Sequence, residues 1–185
     1  AFAAGLGALA AHGGVRVVGG TTEQQPGSGS AVALASTATA VIADPGALLV
    51  ECFGPSTLVV EYADLDEALD VVRAVGGSLT ASVHAEPGED LSRIVPVLTE
   101  VAGRVLFGGW PTGVALSWAQ QHGGPYPSST GAHTSVGMTA MRRFQRPVAF
   151  QDAPEAALPD ELKEHNPLGI PRRVDGVLVT PVPAQ

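Results

Sequence analysis

Residues 57–107, TLVVEYADLDEALDVVRAVGGSLTASVHAEPGEDLSRIVPVLTEVAGRVLF, alternate between strand and helix periodicity and decide the fold class. Thr57 to Tyr62 reads as a strand of β-branched and aromatic residues. Asp64 is placed to cap the next helix, with Glu67 three residues later closing a capping box. Leu65, Ala68, Leu69 and Val72 then form one apolar stripe that ends at Gly76-Gly77. Ser78 to Ala85 is the next strand. Asp90 caps a second helix that turns Leu91, Ile94, Val95, Leu98 and Val101 inward and closes at Gly103, and Arg104 to Phe107 is a third strand. Three strands separated by two helices predict an α/β fold with a parallel βαβαβ sheet core and right-handed crossovers. In open sheets of this kind ligands bind beyond the C-terminal ends of the strands, which puts the segment after Phe107 at a ligand mouth.

Upstream, Phe2, Leu6 and Leu9 have helical spacing over residues 1–12, and Gly13-Gly14 stops that helix. Val15 to Val18 alternates like a strand, residues 21–30 have turn composition, and residues 31–35 read as a weak strand, which together predict a hairpin. Downstream, residues 110–132 lose periodicity. A helix over 135–143, a strand over 147–151, a helix over 159–165 and a hairpin about Asp175-Gly176 follow. The expected organisation is a single domain over 1–185, with 1–150 as its main body and 151–185 as a tail.

With 185 residues, 45% of them hydrophobic, the chain is long enough for one well-buried domain and too apolar for general disorder. Its net charge of −8 and its ten Lys and Arg residues argue against a nucleic-acid partner. The opening apolar run lacks a basic start and is too short for a membrane span, so no membrane partner is expected. The five histidines, His12, His84, His122, His133 and His165, show no metal-ligand spacing, so no metal is expected. One cysteine, Cys52, allows no intrachain disulfide and fits a reducing, cytoplasmic setting.

Ahead of the first strong strand stands Glu51-Cys52-Phe53-Gly54-Pro55-Ser56, a carboxylate entering a tight Gly-Pro turn. The run resembles the Glu-x-Phe-Gly-Pro segment of the NAD(P)-dependent aldehyde dehydrogenases. The resemblance continues through Arg104-Val105-Leu106-Phe107-Gly108-Gly109-Trp110-Pro111-Thr112-Gly113-Val114, His122-Gly123-Gly124-Pro125-Tyr126-Pro127, Thr134-Ser135-Val136-Gly137 and Arg143-Phe144-Gln145-Arg146-Pro147-Val148, over nearly the whole chain. It is similar to the branch acting on α-ketoglutaric semialdehyde (2,5-dioxovalerate) and fatty aldehydes. Gly109 departs from the asparagine expected there and removes a polar side chain.

The resemblance implies that Glu51 binds the ribose hydroxyls of the nicotinamide half of NADP or NAD, and that Phe53 packs beside the nicotinamide. It also implies that the fold is the catalytic domain of that family, with the strand over 147–151 extending a partner's sheet in a homo-oligomer. For Glu51 the plainer alternative is a turn-capping carboxylate. Trp110 and His122 are candidates for aldehyde contact, against core packing for Trp110 and loop capping for His122; Trp118 reads as core. Arg142, Arg143 and Arg146 suit an interface ion-pair cluster or an anion site.

In the family a cysteine upstream of the glutamate attacks the aldehyde as thiolate, and a thioester is then hydrolysed to the acid. Residues 1–50 contain no cysteine. The chain is therefore expected to be a C-terminal part that lacks its nucleophile and general-base glutamate and is inactive alone. Cys52 has two readings, a substitute nucleophile or a small core filler, the commoner state of a lone cysteine. The rival to an enzyme part is a non-catalytic truncated paralogue that serves as a binding or oligomerisation module.

Overall fold

The computed structural model describes residues 1–23 and 29–181. They fall into two compact units, Ala1–Phe144 and Gln145–Gln185. The turn expected over 21–30 lies partly outside the described residues. Among the described residues no helix is long and apolar enough to cross a membrane.

The first unit is built around one strand. After α1 (Phe2–Ala11) and β1 (Val15–Gly19), β2 (Val32–Thr37) buries Val32, Leu34, Ala35 and Ser36. β1 pairs antiparallel with β2 through Val15↔Ser36, Arg16↔Ala35 and Val17↔Leu34, with a register shift before Gly19, so the expected hairpin pairing is present. On its other edge β2 pairs in parallel with β3 (Ser56–Glu61), from Val32↔Ser56 to Thr37↔Glu61. Between these strands run α2 (Ala38–Ala43) and α3 (Pro45–Leu48). The Thr37 side chain accepts from the Ala40 N–H at 3.2 Å, and Asp44, ahead of Pro45, accepts from the Ala47 N–H at 3.1 Å. The two cap helices that the sequence reading left unassigned. Leu6, Leu9, Val32, Leu34, Ala38, Val41, Leu48 and Val71 close into one core from α1, β2, α2, α3 and α4.

α4 (Leu65–Val75) starts as expected. Asp64 accepts from the Glu67 N–H at 3.0 Å, while the Glu67 carboxylate reaches back to the Ala63 N–H at 2.8 Å. β4 (Ala81–Val83) and β5 (Val105–Phe107) pair in parallel across α5 (Ile94–Val101), and a bridge from Ser78 to Ala102 prolongs the pairing. Asp90 caps the turn before α5 by accepting from the Ser92 N–H at 2.9 Å, and that contact holds its carboxyl below the usual range. α4 packs against both α2 and α5.

The fold is thus mixed α/β with small sheets, some of them parallel. One expectation needs correction. The ladders join β2 to β3 and β4 to β5, so the three strands of residues 57–107 form no single βαβαβ sheet. Strand periodicity reports burial on alternate faces, not the pairing partner, and β2 occupies the edge of β3 on which the parallel ladder forms.

Other expected elements shrink. In place of a helix over 135–143 there is a 3-10 turn, Ala140–Phe144, because Gly137 sits at φ 91°, which no α-helix tolerates. In the second unit residues 147–151 carry no strand. A strand exists through its ladder, and Pro147 has no N–H to give to one. The helix over 159–165 reduces to a 3-10 turn at Asp160–Leu162, confined between Pro159 and Asn166, whose φ is 46°. The hairpin forms as expected, β6 (Arg172–Val174) against β7 (Val177–Val179), with Asp175 and Gly176 at φ 47° and 81°, the two positive values that a tight type I′ turn requires.

Two stability tests follow from these caps and pairs. Asp64→Ala should cost about 1 kcal/mol in denaturant unfolding, whereas an exposed acid without a capping contact, such as Glu100, should tolerate Ala within about 0.5 kcal/mol. In the second unit the hydrogen bond and charge of Lys163 hold the Asp160 carboxyl below its ordinary value. Its folded pKa is depressed, so the pair's modest contribution is fully present above the unfolded value, about 3.9, and is lost as pH falls through the lower folded value. The side-chain carboxyl shift of Asp160 should titrate in that acidic range, and Lys163→Ala should move the titration back up toward the ordinary value.

Candidate functional site

The turn over residues 51–55 lies between α3 and β3 and is fastened from behind by α1. Cys52 turns inward, its Sγ 3.6 Å from the Phe2 carbonyl, and a Cβ on Gly5 would stand 3.2 Å from that sulfur. Gly54 lies flat on the Phe2 ring, where a Cβ would come within 2.3 Å of a ring carbon. Pro55 accepts from the Val32 N–H at 2.9 Å, tying the turn to the buried strand. With Cys52 inward, the neighbours on either side face out. Glu51 is exposed and Phe53 is 89% exposed. The sulfur's hydrogen-bond partner is a backbone carbonyl, which cannot act as a base toward it. Beside the turn, at the N-terminal ends of β2 and β3, is a depression of about 510 Å³ lined by Gly19, Ala31, Val32, Gly54, Pro55 and Ser56 among others.

Trp110 and His122 occupy a different place. β5 ends at Gly108, at φ 65°, whose N–H donates to the Val83 carbonyl at 2.8 Å. The chain then presents Trp110, 78% exposed, with its ring 5.4 Å from that of His84 and tilted by 47°. His84 follows β4 as Trp110 follows β5, so the pair marks the C-terminal mouth of the parallel strands. His84 escaped the sequence reading. The available signal was that it is the one ring in the predicted strand Ser78 to Ala85, near the C-terminal end of a strand expected to run parallel to the one before Trp110. Trp118, expected in the core, is 70% exposed, because residues 113–119 form no element that could carry it inward.

His122 is held by its backbone. Its N–H donates to Thr134 Oγ1 at 2.9 Å and its carbonyl accepts from the Ser135 N–H at 2.8 Å, while the Thr134 hydroxyl, only 2% exposed as a residue, donates to the Val136 carbonyl. The loop that follows docks through glycine. A Cβ on Gly77 would lie 2.2 Å from the Tyr126 carbonyl oxygen, one on Gly103 would lie 1.7 Å from that of Gly123, and one on Gly124 would lie 2.1 Å from that of Ser78. Three backbones therefore meet where no side chain fits. The structure joins Trp110 to His84 and His122 to Thr134; among the described residues no ring contact joins Trp110 to His122.

Comparison with known proteins supplies the context for these two places. Alpha-ketoglutaric semialdehyde dehydrogenase 2 of Azospirillum brasilense is 44% identical over 180 residues, 95% of this chain and 34% of the relative. Over this length the chain belongs to the aldehyde dehydrogenase family. Alpha-ketoglutaric semialdehyde dehydrogenase of Acinetobacter baylyi is 44% identical over 131 residues, 69% of this chain and 25% of the relative. The 3,4-dehydroadipyl-CoA semialdehyde dehydrogenase of Aromatoleum evansii is 40% identical over 57 residues, 31% of this chain and 11% of the relative. The aligned region is the C-terminal part of these aldehyde dehydrogenases, and the chain spans about a third of the length of the first of them. No family model matches the chain.

The glycine docking is open to a direct test. Gly103→Ala should destabilise the chain by about 1–3 kcal/mol, as overpacking does, and should speed amide exchange over residues 122–127. Gly113→Ala, where an added Cβ meets nothing within 4 Å, should do neither.

Proposed function

We propose that this chain is the part of an NAD(P)-dependent aldehyde dehydrogenase that grips the nicotinamide ribose and forms one wall of the aldehyde channel, in an enzyme oxidising a semialdehyde or fatty aldehyde to its acid. The observation that carries the reading is the turn over residues 51–55. Glu51 and Phe53 face outward together from a backbone pinned by Phe2, Cys52 and Gly54. Among the described residues no hydrogen bond or ion pair occupies the Glu51 carboxylate, which leaves its oxygens free to accept from a vicinal diol. The Phe53 ring, exposed beside it, suits a flat heteroaromatic partner. These residues fit a nicotinamide nucleoside, and when bound the nicotinamide supplies the hydride acceptor for aldehyde oxidation.

On this reading Glu51 binds, Phe53 orients, and Trp110 with His84 lines the approach of an apolar aldehyde, with His122 on the neighbouring loop. The nucleophilic thiolate and its base come from outside this chain. Cys52 is a packing residue behind the turn. The exposed Val148 and Phe150 of the second unit suit an edge that another copy completes in a homo-oligomer.

In a complete enzyme carrying this segment, Glu51→Gln should lower kcat/KM for the nicotinamide nucleotide at least about tenfold, the loss expected for one charge-assisted hydrogen bond, with the melting temperature unchanged. Unchanged turnover would leave Glu51 a turn residue and remove the ribose contact from the proposal.

A further inference from the structure

The start of β5 holds a second polar place that the aldehyde reading does not use. A cavity of about 340 Å³, the volume share of about ten waters, is lined by Arg104, Gln120, Gly103, Gly113, Val114 and Ala119 among others. Arg104 donates through one terminal nitrogen to the Thr112 carbonyl at 3.2 Å. Its Nε is closed off from solvent and lacks a partner, and so are both amide atoms of Gln120. Among the described residues no carboxylate pairs with Arg104. The Gln120 amide packs over Gly137, where an added Cβ would stand 2.7 Å from its oxygen.

Polar atoms closed off from solvent without a partner are costly, and the two side chains that carry these line one cavity, which calls for a guest. We propose that this cavity binds a small carboxylate, seated on the Arg104 guanidinium, with the Gln120 amide turning to donate to it. The planar fork of arginine matches a carboxylate in two hydrogen bonds. Apart from Gln121 the remaining walls, Gly103, Gly113, Val114, Ala115 and Ala119, are small and without polar side chains, which suits a short aliphatic acid. Arg104 is the one cation lining the cavity, in a chain of net charge −8, and this disfavours a multiply charged phosphate. The inference stands on this cavity alone and does not require the aldehyde reading.

The test titrates the 185-residue chain with acetate, glutarate and inorganic phosphate, following amide shifts by NMR. Saturable binding of the two carboxylates is expected, with the largest shifts at Arg104, Gly113 and Gln120 and none with phosphate. Arg104→Met should weaken it at least about tenfold, the worth of a charged bidentate contact, and Arg104→Lys should restore part of it. Gln120→Leu, which keeps the cation, should weaken it less and serves if Arg104→Met does not fold. No saturation by either acid, equal binding of phosphate, or binding indifferent to both substitutions would overturn the proposal. The source of the acid is then separable in a complete enzyme. Competition between glutarate and aldehyde would assign the site to the substrate's own carboxylate, and non-competitive behaviour would assign it to a separate acid; either result supports carboxylate binding.

Discussion

The burial of β2 is the constraint on which the first unit depends. A strand with Val32, Leu34, Ala35 and Ser36 all buried has no face to give to water, so both edges and both faces must be covered. β1 and β3 take the edges, and α1, α2, α3 and α4 contribute to the core. Because β3 is locked to β2 residue by residue from Ser56 onward, the turn ahead of it has no freedom of register, and Pro55 is bound directly to Val32. α1 then closes the turn from behind through Phe2 and Gly5. The outward display of Glu51 and Phe53 is thus a consequence of packing several residues away from either.

A second device fixes the loop that packs beside β4 and β5. Where the sheet around β2 uses apolar burial, the loop over residues 122–127 of the same unit is held by the mutual approach of backbones at Gly77, Gly103 and Gly124 and by the hydroxyls of Thr134 and Ser129, the latter accepting from the Gly124 N–H at 3.0 Å. Such contacts are intolerant of any side chain but bury little apolar surface, so the loop is well defined in position without being a core. The Trp110 and His84 rings stand at the mouth of the same parallel pair.

What could be read in the sequence follows from which signals are local. The Asp64 cap, the Asp175-Gly176 turn and α4 itself are each specified within a few residues, and each forms, although α4 buries Leu69 and Val71 while Leu65, Ala68 and Val72 of the expected stripe stay half-buried, and Glu67 reaches the Ala63 N–H rather than that of Asp64. The core-filler reading of Cys52, which the structure places inward, was equally local. The partner of β3 was not, because a parallel ladder is fixed by a strand that precedes two short helices. The first of those helices was hidden by its β-branched Thr39, Val41 and Ile42 and the second by its length of four residues, although Thr37 and the Asp44-Pro45 pair marked their starts. The helix expected over 135–143 failed at a single positive φ at Gly137 that spacing alone cannot reveal. At the candidate site Glu51, Phe53 and Trp110 could be picked out by motif, whereas His84, Thr134 and the unpaired Arg104 and Gln120 emerge only when separate segments meet.

The account's central claim is a division of labour, in which this chain carries the ribose contact and part of the channel while the attacking thiolate lies elsewhere in the enzyme. The most direct measurement is aldehyde-dependent reduction of NAD and NADP by the purified 185-residue chain, beside Cys52→Ser, with a semialdehyde and a long-chain aldehyde. The account predicts no reduction above the aldehyde-free background in either protein. Turnover by the chain that Cys52→Ser abolishes would contradict it and make Cys52 the nucleophile.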